Sequence, residues 1–182
     1  MTAEVVGGCG RGGATMGMKN FSILEAVEVA MMMEEEGIRF YKLAEQKTGD
    51  PEMKKLFSFL RDKEHLHIET FRRLYSDLAA REGNPDAELW LLDTEVSSYF
   101  RAAVDSTVFP TKGSAETAIA GLHGVNDILR FALRLEKDSI LFYHELLASA
   151  PWPEAKALIE KVIAEERRHV VFIHEKLASL GG

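Results

Sequence analysis

Six residues carry the spacing of a metal site. Glu34 and Glu136 each lie within a helical pattern, and Glu64-x-x-His67 and Glu166-x-x-His169 each set a carboxylate and an imidazole three residues apart. On a helix that spacing puts both side chains on one face. Carboxylate oxygens with one imidazole per cation suit iron or manganese, and the absence of thiolates disfavours an iron–sulfur or structural zinc site. A lone Glu-x-x-His is common on helix surfaces, so the neighbours decide. Glu34 falls on the stripe Ile23, Val27, Ala30, Gly37, Tyr41, Ala44, and Glu64 and His67 fall with Leu56, Leu60, Phe71, Leu74 and Leu78. Glu136 lies with Leu129, Ala132, Ser139, Tyr143 and Leu147, and Glu166 and His169 lie with Leu158, Val162 and Ile173. These are the inward faces of amphipathic helices.

Four carboxylates are therefore expected to converge in one core. Burying each bare costs on the order of several kcal/mol, so they must be protonated, paired or metal-bound. No Lys or Arg lies on these stripes. Two divalent cations would bring four carboxylates to neutrality.

The elements that must position them can be read from local signals. The first helix opens at the capping box Ser22-x-x-Glu25 and runs toward Gly49. Asp50-Pro51 restarts the chain, Asp as cap and Pro at the first helical position, and the second helix ends before Gly83. A third long helix is clear from Asn126 to Pro151, and Pro153 opens a fourth. Residues 84–125 are mixed: WLLDTEVSSYFRAAVD reads as helical, Pro110 breaks it, and a further short helix is expected before Gly124. Residues 1–18 are Gly-rich and without periodicity, so they are expected to be a disordered tail, with Met16 or Met18 as the natural start, and 19–182 one domain.

Displacing the chain by 102 residues aligns its halves without a gap from Glu34 to His67, with ten identities in 34 positions. Glu34 falls on Glu136, Tyr41 on Tyr143, Pro51-Glu52 on Pro153-Glu154, Glu64 on Glu166 and His67 on His169. An offset this regular marks an internal repeat. Each half is a helical hairpin, and the segment between must be a long crossover. The fold class is therefore all-α: a four-helix bundle of two hairpins joined by one long crossover with short extra helices, the ferritin-like arrangement. Two helices giving one Glu each and two giving Glu-x-x-His is also the known ligand pattern of di-iron and di-manganese carboxylate bundles.

Residues 19–79 and 126–178, through EEEGIRFY, EKDSILFY, EHLH and ERRH, resemble the rubrerythrin branch of the ferritin-like superfamily. The resemblance implies a non-haem di-iron oxidoreductase reducing hydrogen peroxide or handling O2. It implies two Fe ions, with Mn or mixed occupancy as the alternative, held by Glu34, Glu64, His67, Glu136, Glu166 and His169. Tyr41 and Tyr143 match aromatic positions beyond the first-helix Glu and are expected either to hydrogen-bond a ligand Glu or only to pack. Two departures stand out. The full pattern carries a rubredoxin domain with paired Cys-x-x-Cys, whereas this chain has the single Cys9, which implies a separate, rubredoxin-like electron donor. It also carries an extra Glu three residues beyond the ligand on the third long helix, where Ser139 stands, with Gly37 at the equivalent place in the first half. A more symmetric site follows. A homodimer is expected from the resemblance alone.

Composition removes other classes. The net charge of −7 with no basic patch argues against nucleic acid. No segment approaches the roughly 18 apolar residues of a membrane span, and the first 20 lack the roughly 7–15-residue apolar core of a signal peptide. One cysteine fits a reducing, cytoplasmic setting. Asp62-x-x-His65 mimics the ligand motif but lies with Ser58 and Glu69 on a polar face, and His123, His144 and His174 fall off the inward stripes. Met31-Met32-Met33 points in three directions and reads as core and interface filling. The residues around Trp90 and Phe100 are expected to cover one end of the bundle or serve a dimer contact. Beside the peroxidase-type reading stand a ferroxidase or iron-storage role and a metal-free interaction bundle.

Overall fold

The computed structural model describes residues 22–81, 98, 100, 102 and 113–181. The expected tail, the alternative starts, Cys9, Trp90 and most of the crossover lie outside the described residues. Among the described residues five helices can be given bounds: α1 Ile23–Lys47, α2 Pro51–Ala79, α3 Ser114–Ala120, α4 Val125–Ser149 and α5 Pro153–Leu180.

Short-range chemistry sets the helix starts. At α1, Ser22 Oγ accepts from the Glu25 amide at 3.1 Å while the Glu25 carboxylate accepts from the Ser22 amide at 2.7 Å, closing the capping box. At α2, Asp50 Oδ1 accepts from the Glu52 and Met53 amides, and Pro51 takes the first position, where no amide hydrogen is needed. Pro153 does the same for α5. Gly113, at φ +87°, turns the chain into α3 through a left-handed conformation that suits glycine. The short helix expected before Gly124 is α3.

α1 packs most extensively on α2 and α4 on α5, while α1 meets α4 and α2 meets α5 across the bundle. The two hairpins read from the repeat are thus the building blocks. Between them the apolar interior is divided. One cluster gathers Val27, Ala30, Met33, Phe71, Leu74, Phe142, Tyr143, Val162 and Ile163, with Phe100 from the crossover. The other gathers Phe40, Tyr41, Met53, Phe57, Leu60, Leu129, Ala132, Leu135 and Ile173. Every long helix contributes to both, and on every one the candidate ligands fall between the two contributions. The stripe residues Leu56, Leu147 and Leu158 are only half-buried at its edges. No described helix is long and apolar enough to cross a membrane.

Among the described residues, Glu36 and Lys47 of α1 both hold the end of the crossover. Glu36, only 1 % exposed, accepts from the Gly113 amide at 3.0 Å and the Ala115 amide at 3.1 Å, and Arg39 Nε lies 3.5 Å from it. Lys47 Nζ donates to the Ile119 carbonyl at 2.6 Å. A carboxylate thus meets the start of α3 and an ammonium its end, the signs that the amides and carbonyls at those ends favour. Glu36→Ala is expected to lower stability to denaturant by about 1–3 kcal/mol by stranding buried amides. Glu35→Ala, on a side chain 46 % exposed, should stay within about 0.5 kcal/mol of wild type.

Candidate metal centre

Glu34 comes from α1, Glu64 and His67 from α2, Glu136 from α4, and Glu166 and His169 from α5. All six are at most 3 % exposed. They fall into two overlapping groups, Glu34–Glu64–His67–Glu166 and Glu64–Glu136–Glu166–His169, each offering ligand atoms that lie within 4.8 Å of one another. Glu64 and Glu166 belong to both groups. Glu34 with His67 and Glu136 with His169 complete one each. All six residues singled out in the sequence are brought together.

The contacts follow the repeat. His67 Nδ1 lies 2.9 Å from Glu64 Oε2, 3.0 Å from Glu166 Oε1 and 3.6 Å from Glu34 Oε2. His169 Nδ1 lies 2.9 Å from Glu166 Oε2, 3.3 Å from Glu136 Oε2 and 3.8 Å from Glu64 Oε1. The two rings stack with centroids 5.6 Å apart. Both histidines therefore turn Nδ1 toward the carboxylates.

The tyrosines cross between the hairpins. Tyr143 of α4 donates to Glu34 of α1 at 2.5 Å, and Tyr41 of α1 donates to Glu136 of α4. Burial pushes both phenols well above their usual range, and the neighbouring carboxylates push them further, so each stays a donor. The hydrogen-bonding alternative holds for both; they also pack, Tyr143 against Phe71 and Tyr41 against Phe57.

Electrostatics sorts the four glutamates. Burial pushes Glu34 and Glu136 up, but His67 beside the first, His169 beside the second, and the tyrosine hydroxyls outweigh it and hold both below the usual carboxylate range. Glu64 and Glu166 are raised well above it by burial and by the other glutamates around them. Burial lowers both imidazoles, but the carboxylates win, and His67 and His169 are raised. Burial and mutual repulsion thus favour the neutral acid at Glu64 and Glu166, while the imidazoles favour charge at Glu34 and Glu136 and are themselves favoured in the charged form.

Protons do not satisfy the cluster completely. Glu64 Oε1, Glu166 Oε2 and His67 Nε2 are buried without a hydrogen-bond partner. Glu166 Oε2 is close to His169 Nδ1, but the ring N–H is not aimed along that line. Two acceptor oxygens without a donor, one on each shared glutamate, are what cations would fill. The donor set fits a pair of divalent metals.

The polar faces stay polar. Asp62, His65, His123, His144 and His174 are exposed, and Met33 is buried while Met31 and Met32 are half-buried. Ser139 is buried, and a Cβ on Gly37 would stand 3.6 Å from Glu64 Cγ, so Glu64 occupies the space beside that glycine. Sequence reasoning passed over Glu165, which stands 3.6 Å from His67 Nε2. Its signal lay in the repeat, where Glu165 aligns with Lys63.

A rubrerythrin family model matches residues 14–75, which span α1 and most of α2. That segment holds Glu34, Tyr41, Glu64 and His67. Over that segment the chain is similar to rubrerythrin. A solved structure from Thermotoga maritima, described as a ferritin-like diiron-carboxylate protein, is 24% identical and superposes with a TM-score of 0.67, covering 88% of this chain and 97% of its own. That likeness establishes a ferritin-like fold. No curated protein matches the chain. The second hairpin, outside the matched segment, repeats the first candidate ligand for candidate ligand.

The protons the cluster holds set its pH dependence. His67, His169, Glu64 and Glu166 have raised folded values, so their contribution to metal-free stability is full below the unfolded values, 6.5 and 4.5, and is lost as pH rises through the folded ones. Glu34 and Glu136 act oppositely: their contribution is present above 4.5 and lost as pH falls through their lowered values. Above pH 6.5 the metal-free protein should therefore lose stability as pH rises. Binding two divalent cations should displace about four protons, so the loaded and metal-free forms should diverge in thermal stability toward pH 8. A pH-indicator titration with Co(II) counts the protons directly.

Proposed function

We propose that this site is a di-iron centre and that the chain is a non-haem oxidoreductase that reduces hydrogen peroxide, or O2, in the cytoplasm. The observation that supports it most is the pair of overlapping three-carboxylate, one-imidazole groups buried in a bundle core. Four carboxylates balance two divalent ions, and oxygen-rich donors with one nitrogen each suit iron. In this reading Glu34 and His67 hold one metal, Glu136 and His169 the other, and Glu64 and Glu166 serve both. Bound there, the two metals would supply two electrons and Lewis acidity for cleaving the O–O bond of hydrogen peroxide, which with two protons gives two waters; O2 would need two further electrons and two further protons to reach water.

The protein's own part is positional and electrostatic. The apolar clusters on either side keep bulk water from the site. Tyr41 and Tyr143 hold one oxygen of Glu136 and of Glu34 by hydrogen bond, which leaves the other oxygen of each for a cation. Their raised phenols keep their protons, so both tyrosines act by fixing the carboxylates. In this reading the electrons that reset the site come from a separate, rubredoxin-like carrier.

The first check is metal content per chain together with the ultraviolet–visible spectrum before and after peroxide. About two irons per chain, with an absorbance change tracking peroxide consumption, is the expected result. No metal after anaerobic iron loading would remove the assignment, and many irons per chain under O2 would move it to iron handling. Glu64→Ala should abolish binding of at least one metal, because Glu64 belongs to both groups, whereas Asp62→Ala should leave occupancy unchanged. Equal loss in both would place the site on the wrong face of α2.

A further inference from the structure

The two halves of the centre agree in their inner contacts and differ in their outer ones. His67 turns Nδ1 toward Glu64, Glu166 and Glu34, and its Nε2 points away from them, buried and without a hydrogen-bond partner. Glu165 Oε2 is an acceptor 3.6 Å from that nitrogen. The same carboxylate lies 3.7 Å from Lys63 Nζ, and its other oxygen lies 3.8 Å from an Arg168 guanidinium nitrogen. With a side chain only 15 % exposed, Glu165 sits between these two cations on the outside and His67 on the inside.

An imidazole binds a metal through an unprotonated nitrogen, so its remaining proton sits on the other one and needs an acceptor. If His67 binds through Nδ1, Nε2 becomes that donor. Moving the Glu165 carboxylate by well under about 1 Å brings it into hydrogen-bond range. Across the repeat Glu165 aligns with Lys63, and an ammonium cannot accept a hydrogen bond. His169 instead has the edge of Phe59 beside it, ring centroids 6.3 Å apart.

We infer that Glu165 is a positioning residue: it accepts the Nε2–H of His67, holds that ring in its metal-binding tautomer, and makes the two metal positions inequivalent, the His67 position being the tighter. This rests on the metal-centre reading above. A carboxylate behind an imidazole orients the ring and raises its basicity, and removing such a partner costs about 10–100-fold in metal affinity. Lys63 and Arg168 hold the carboxylate in place from the solvent side.

The test is an anaerobic Co(II) titration of the full chain stripped of metal, followed by Mössbauer spectra of the protein loaded with 57Fe(II). Wild type should bind in two resolved steps and show two distinct iron environments. Glu165→Ala should weaken the tighter step about 10–100-fold, leave the other within about threefold, and draw the two environments together. Glu165→Gln keeps an acceptor oxygen and should restore most of the tighter step, an outcome a merely structural role would not produce. Thermal melts of the metal-free variants show that both fold. Unchanged affinities in Glu165→Ala, or equal loss at both steps, would overturn the proposal while leaving the metal centre standing. A wild-type protein that takes up no metal would overturn both.

Discussion

Negative charge in an apolar interior is what this structure has to accommodate. Glu34, Glu64, Glu136 and Glu166 meet in the middle of a bundle whose remaining interior is almost entirely aliphatic and aromatic. Solvent does not screen them there, and each bare charge would cost several kcal/mol, on the order of the stability of a whole small domain when summed. The chain meets this in two ways. It supplies two imidazoles and two phenols as counter-groups, and it brackets the charged layer with two apolar clusters that hold the helices together without relying on it. A fully buried Phe, Leu or Ile contributes about 1.5–3 kcal/mol, and there are enough of these on both sides to keep the helices in register.

The repeat explains how one layer can serve both halves. Because the ligand-bearing hairpins are copies, the contacts between them come in pairs: Tyr41 reaches Glu136 and Tyr143 reaches Glu34. Each hairpin's tyrosine completes the other's glutamate, so neither hairpin alone satisfies its own buried carboxylate. The symmetry breaks where the chain must cross from one hairpin to the other. Glu36 and Lys47 strap α3 to α1, and the repeat puts Asp138 and Ser149 at the equivalent places on α4. It breaks again at the outer edge of the site, where Glu165 faces Lys63.

What was legible in the sequence and what was not divides along the range of the interactions. A Glu on an apolar stripe reveals which way it faces, because the helical period converts position into direction; that was enough for all six candidate ligands, and the repeat removed the ambiguity of each motif alone. Caps at Ser22 and Asp50 were legible because their partners lie two or three residues away. Tyr41 and Tyr143 were legible as neighbours of the ligands, but not as crossed partners, since a stripe says nothing about which opposing helix will supply the acceptor. Glu36 was hidden because its partners, the amides of Gly113 and Ala115, lie in a stretch without periodicity. Only its spacing from Met33 and Phe40, which continues a second buried line on α1, hinted at burial. Glu165 reads as a surface charge, since one residue from Glu166 is 100° around the helix.

The division of labour among the four glutamates follows from where they stand. Glu34 and Glu136 each accept from a phenol that cannot itself ionise in this setting and lie beside an imidazolium, so they carry charge at little cost. Glu64 and Glu166 face one another and both of the others, and burial and that crowding are what raise them. They are also the two glutamates common to both metal-sized groups. The same crowding has both consequences: where negative potential from several carboxylates overlaps, a positive charge is most stabilised, whether it arrives as a proton or as a divalent ion.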